Sequence, residues 1–184
     1  MEVIMIGTVL MIYLVGMFVV TRYIVNCESE IISDGLVASN LAAFSIKNLD
    51  LEYIAKNPND KVIIVKNPND AFNTFKRHLS FNLNLDNSLN PKTEEINFIK
   101  GNVKIEKFIL YNVIENDVIK YELNNDTGVF KEDVYSNGKG VIETPSGKKV
   151  EETTIHSQIT TSIGQMFNRK SAITKSQDTD IIKQ

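Results

Sequence analysis

The sequence predicts an α+β protein in which one long N-terminal helix, part membrane anchor and part stalk, packs on a mainly antiparallel sheet. Three observations carry this. Residues 3–20 contain no formal charge. The stretch from there to Lys56 keeps helical spacing of its apolar residues, and the first proline is Pro58. From Ile96 onward the pattern turns to period two, cut by Asn, Asp, Gly and Pro. The organisation read from this is an anchor over 1–25, a helical stalk over 26–56, a soluble α+β domain over 57–167 and a mobile tail over 168–184.

A bilayer needs roughly 20 mainly apolar residues in a helix, and the run to Val25 supplies them. A secretory signal would begin with basic residues and end on a small-residue cleavage site. Here Met1-Glu2 precedes the run and no Ala-x-Ala follows it closely, so the reading is an uncleaved anchor. Arg22 is the one basic residue beside it, too small a vote to set orientation. Within the run, Gly7, Thr8 and Gly16 offer the small surfaces through which helices associate in lipid. Gly7 and Gly16 are nine residues apart, which is not the GxxxG spacing.

Beyond the anchor, Ile32, Leu36, Ala43 and Ile46 recur in steps of three and four, flanked by Ala42, Leu49 and Tyr53. This broad face is expected on the sheet. Leu41 and Phe44 point elsewhere and are candidates for contact with neighbouring subunits. Gly35 costs about 1 kcal/mol in a helix relative to alanine, and would mark a bend. A straight helix from Val3 to Lys56 would be about 80 Å long.

A short repeat follows, Lys56-Asn57-Pro58-Asn59-Asp60 and Lys66-Asn67-Pro68-Asn69-Asp70. Each Asn-Pro pair reads as a turn, and neither copy has the ligand count of an EF-hand loop. Lys61 to Val65 between them is strand-like. Asp70 is the expected N-cap of a helix that places Ala71, Phe72, Phe75 and Leu79 on one face and ends near Leu85. Val103 and Ile105 alternate in one phase, Phe108 and Leu110 in the other. A β-bulge at Glu106-Lys107 would produce that switch. Strands are expected over 118–123 and 129–135, with a turn at 124–128 and hairpin signals at Asn137-Gly138 and Pro145-Ser146-Gly147. The last strand, Val150 to Ile163, has Ile155, Ile159 and Ile163 on one side. Thr154, His156, Gln158, Thr160 and Ser162 form a wet second face.

Composition narrows function. With 42% hydrophobic and 23% charged residues and net charge -3, the chain is ordinary for a folded protein and offers no basic surface for nucleic acid. Cys27 is the sole cysteine, so no intramolecular disulfide forms. Ile24, Val25 and Asn26 before it do not make a lipidation signal, and it reads as a free thiol at the membrane interface. His78 and His156 are far apart and lack ligand spacing, so no metal or cofactor is expected. No phosphate-cradling loop, HExxH or nucleophile elbow occurs. Glu94-Glu95 and Glu151-Glu152 are adjacent, so on a strand their carboxylates face opposite ways. The chain therefore reads as a non-enzymatic assembly or adaptor component.

The anchor followed by the alanine-bearing run Asp34-Gly35-Leu36-Val37-Ala38-Ser39-Asn40-Leu41-Ala42-Ala43, and the Thr144-Pro145-Ser146-Gly147-Lys148 hairpin before a long final strand, resemble pilin-like proteins. Within them the chain is similar to TadE-type minor pilins of low-GC Gram-positive bacteria. The resemblance implies a single-pass cell-membrane protein with its C-terminal domain outside. It would be a non-catalytic component of a pilus, secretion or conjugation apparatus that assembles through its N-terminal helix. Its partners would be the membrane and other apparatus subunits, homo-oligomers included. Prepilin cleavage wants a basic leader and a glutamate five residues past a small residue; Ile12 and Thr21 stand five past Gly7 and Gly16. The expectation is thus a member that stays in the membrane. The alternative is a single-span protein whose β-rich domain binds a peptide or small ligand on its polar face.

Overall fold

In the computed structural model the described residues are 2–56, 62–93, 98–164 and 170–181, the side chains of 2–4 excepted. Asn57 to Asp60 of the first repeat copy and the Glu94-Glu95 pair lie outside them. The element order is α1 (Glu2–Ala43), a 3-10 turn (Ile46–Asn48), α2 (Leu51–Lys56), α3 (Pro68–Asn82), β1 (Lys104–Ile114), β2 (Asp117–Leu123), β3 (Phe130–Tyr135), β4 (Thr153–Gly164) and β5 (Lys170–Ile181). The strands form one antiparallel sheet in the order β3-β2-β1-β4-β5. α1 lies on β4 and β5, and α3 packs beside α1.

α1 is a single helix of 42 residues, about 63 Å long. It stops at Ala43, not at Lys56. The Asn48 carboxamide donates to the Ala43 carbonyl at 2.8 Å, satisfying a C-terminal acceptor that another turn would have used. The Asp50 carboxylate then accepts from the Tyr53 amide at 3.0 Å and starts α2 separately. The helix runs through Gly35 without a break. A Cβ there would stand 2.8 Å from Leu83 Cδ2, so the missing side chain lets α3 close on α1. The Gly35 carbonyl in turn accepts from Ser39 Oγ at 2.6 Å and from Asn82 Nδ2 at 3.3 Å.

α3 is capped by Asn67, whose side chain accepts from the Asn69 amide at 2.9 Å, with Pro68 in the first helical position. Asp70 is therefore inside the first turn and is not the cap. Ala71, Phe75 and Leu79 face the core as expected. Lys61 of the strand expected before α3 lies outside the described residues; among 62–65 there is one bridge, Leu49 to Val65. Its partner is a side chain: buried Asn112 accepts from the Val65 amide at 3.0 Å and donates to the Val65 carbonyl at 2.9 Å. A carboxamide carries both donor and acceptor groups and so replaces a neighbouring strand at a single residue.

β1 pairs with β4 with a register shift between Ile105 and Lys107, at the phase switch of the sequence. The bulge lets Ile105 and Phe108 both contribute to the helix-side core. That core joins Ile32, Leu36, Phe44, Phe75, Phe108, Leu110, Ile155, Ile159 and Ile163. A smaller cluster, Ile109, Tyr111, Val113, Val118 and Val150, lies on the opposite face, with Tyr135 and Ile142 against it.

The mobile tail is a correction. Residues 170–181 are β5, paired with β4 from Thr153↔Ile181 to Gly164↔Lys170. Ile173 and Ile181 pack on the core, and buried Asn40 of α1 donates to Thr179 Oγ1 at 3.1 Å. Low apolar content concealed a strand because alternate residues suffice when one face is already provided by α1.

Candidate functional site

Of the five residues expected to mediate assembly, the structure leaves four on the surface of α1. Gly7 and Gly16 would each meet nothing within 4 Å if a Cβ were added, and Thr8 is exposed. Leu41 is 52% exposed. Phe44 is only 5% exposed and belongs to the helix-side core, so its expected role toward a neighbouring subunit is corrected. It sits just past the end of α1, where the chain turns into the domain.

Helix geometry separates the rest. At about 100° per residue, Gly7 and Gly16 project to roughly opposite sides of α1, whereas Gly16 and Leu41 fall within about 20° of each other. Gly7 shares its side with Thr8, Met11, Ile12 and Val15. No single face unites the set; the small residues of α1 make two separate notches on opposite sides of the helix. The anchor segment is apolar and exposed from Met5 to Val20, with Met17 half-covered. This is one helix long and apolar enough to cross a membrane, and no part of its apolar window is buried in the domain. The Arg22 guanidinium lies 5.2 Å from the Phe18 ring centroid, folding the first cation back toward the apolar segment. Just beyond, burial pushes the Glu28 carboxyl above its ordinary range, against a downward pull from Lys100. Cys27 is a half-buried free thiol on the same stretch.

The expected wet face of β4 holds only in part. Gln158, Thr160 and Ser162 are half-buried, but Thr154 and His156 are buried. They lie in a polar network that joins β4, β5 and the 143–149 hairpin. His156 Nδ1 is 2.7 Å from Asp178 Oδ1. Asp178 Oδ2 accepts from Thr144 Oγ1 at 2.9 Å and also from Ser146 Oγ. Thr154 Oγ1 donates to Asp180 at 2.8 Å, and Lys148 pairs with Asp180. The serine and the histidine both touch the aspartate and not each other, so this is not a nucleophile with its base. It is a latch that holds the hairpin on the sheet. Sequence reading missed it because Asp178 and Asp180 fell in the supposed tail. The period-two alternation of Thr154 and His156, which calls for polar partners on a neighbouring strand, was the available signal.

Burial opposes ionisation of Asp178, but hydrogen bonds from His156, Ser146 and Thr144 outweigh it and hold the carboxyl below its ordinary range. A depressed carboxyl stabilises the fold fully above its unfolded value, about 4, and the contribution is lost as pH falls through the lower folded value. Asp178→Asn is expected to cost about 1–3 kcal/mol at neutral pH and to flatten the acid limb of stability below about pH 4. Chemical denaturation of both proteins at pH 7 and pH 3 checks this. Equal losses at the two pH values would rule out the ionised latch.

Among the described residues no group of three or more His, Cys, Asp and Glu side chains has metal-binding geometry. In comparison with known proteins, no family model, curated protein or solved structure matches this chain.

Proposed function

We propose that this chain is a non-catalytic, membrane-anchored component of a pilus, secretion or conjugation apparatus, pilin-like in plan. It assembles through α1 and holds its α+β domain outside the cytoplasm. The observation that carries the reading is the division of labour within one helix. The N-terminal part of α1 is apolar and bare. The C-terminal part buries one face, at Ile32, Leu36, Ser39, Asn40 and Ala43, inside the domain. A helix shared in this way couples anything that grips the anchor rigidly to the sheet, with no linker to absorb the movement. An enzyme tethered to a membrane has no need of that stiffness; a subunit that transmits position does. In lipid, Gly7 with Thr8 on one side and Gly16 on the other let neighbouring helices approach closely.

The test uses the full chain with Cys27→Ser and a single Ser136→Cys, at an exposed site after β3. Intact cells are treated with a membrane-impermeant thiol reagent, and the N-terminus is read by mass spectrometry. Labelling with Met1 retained is the expected result. A companion Leu41→Cys variant should cross-link to other membrane-apparatus subunits or to itself. Protection of Ser136→Cys in intact cells, with labelling after permeabilisation, would place the domain in the cytoplasm and sink the proposal. A new N-terminus at Thr8 or Met17 would instead convert it to a processed pilin.

A further inference from the structure

Outside the latch, one polar cleft has charged side chains at its rim that pair with nothing among the described residues. It lies between the 3-10 turn after α1 and one face of α3, with a volume of about 370 Å³, lined by Lys47, Asn48, Asp70, Asn73, Thr74 and Arg77. That is within the range of small-molecule sites. Its floor is polar and fixed. Asn48 is 3% and Thr74 6% exposed. Asn48 Nδ2 donates both to the Ala43 carbonyl at 2.8 Å and to Thr74 Oγ1 at 3.2 Å. The Thr74 hydroxyl thus accepts inside the protein, and its own hydrogen has no acceptor among the described residues. Above this floor stand two cations and one carboxylate. Neither Lys47, Arg77 nor Asp70 makes an ion pair among the described residues.

We propose that this cleft binds a small zwitterion, one carboxylate beside one ammonium, as in a free amino acid or a lysine at a peptide C-terminus. Arg77 and Lys47 take the carboxylate, for which the guanidinium fork is shaped. The Thr74 hydroxyl donates to the same group from a position Asn48 fixes, so little ordering is needed on binding. Asp70 takes the ammonium. With two cations and one anion, the cleft carries one net positive charge. It therefore disfavours a plain cation, and Asp70 gives a zwitterion's ammonium an attraction that a plain anion such as acetate cannot use. The site is independent of the membrane reading and is not on the polar face of β4, where a ligand surface was expected.

The test is titration of the full chain in nanodiscs, followed by the amide resonances of Asn48 and Thr74. The probes are the free amino acids, N-acetyl-Gly-Lys and acetate. Saturable shifts with a zwitterion, stronger than with acetate, are expected. Binding by free amino acids alone identifies a metabolite site, and binding by the peptide alone identifies a partner segment; either supports the proposal. Arg77→Ala and Lys47→Ala should each weaken binding about tenfold, the loss of one charge-assisted contact. Asp70→Asn should weaken the zwitterion about tenfold and strengthen acetate. All three side chains are exposed, so these variants are expected to fold. No saturable shift with any probe, shifts that survive the Lys47→Ala Arg77→Ala double variant, or equal binding of acetate and zwitterions would each overturn it.

Discussion

Deleting residues 170–184 is expected to unfold the soluble domain, not to trim a loose end. β5 supplies a full ladder to β4 over 170–181. Without it β4 becomes an edge, and the buried side chains Thr153, Ile155, Ser157 and Ile159 lose cover on that side. Ile173 and Ile181 leave the core, and Asn40, buried on α1, loses both Thr179 and the Gln177 carbonyl. An amide left unpaired in that position costs about 1–3 kcal/mol alone. The latch loses Asp178 and Asp180 as well, freeing the hairpin that covers the second face. These losses share partners and so do not simply add. Their sum nonetheless reaches the about 5–15 kcal/mol that a whole domain possesses. Circular dichroism melts of the full and truncated chains in detergent check this. A mobile tail would leave the cooperative transition in place, and that outcome would show that β5 is not integral.

This strand also shows where the sequence was legible and where it was not. The period-two pattern located β1 to β4, and the phase switch located the bulge, because alternate burial there is written in Val, Ile, Phe and Leu. Residues 170–181 alternate too, but Ser171, Lys175, Gln177 and Thr179 share the inward positions with Ile173 and Ile181. Thr179 is held there by a hydrogen bond from Asn40, a contact that hydropathy does not register. The end of α1 was misplaced for a related reason. Helical spacing persists through Ile46 and Leu49, and the helix is stopped by Asn48, a side chain that acts only once the chain has turned back on itself. Among the assembly residues, exposure of Leu41 followed from the helical wheel. Phe44 did not, because it lies beyond the last residue of α1, where the wheel no longer applies. The cleft was illegible in sequence, since Lys47 and Arg77 line it together only through the packing of α3 against the turn that follows α1.

Phe108→Ala is expected to be the most damaging single substitution. Phe108 is fully buried, at the point where α3 meets the sheet. Its ring centroid is 5.0 Å from Phe75, 5.2 Å from Phe72 and 6.1 Å from Phe130, so one side chain joins the helix layer to β1 and β3. Truncating a buried phenylalanine costs about 3–5 kcal/mol through lost transfer energy and the cavity left behind. Tilted and edge-on ring pairs add about 0.5–1.5 kcal/mol each beyond area. Relaxation is limited because the bulge fixes Phe108 in register and Gly35 has already brought α3 as close to α1 as Leu83 allows. The value should therefore fall at the upper end. Phe81, at the exposed end of the same α3 helix and 78% exposed, is the control, and Phe81→Ala should change stability by no more than about 0.5 kcal/mol. Urea unfolding of the three proteins reads both. A cost below about 1 kcal/mol at Phe108 would mean that the aromatic cluster does not hold the helices to the sheet. The rigid transmission on which the assembly proposal depends would then lose its physical basis.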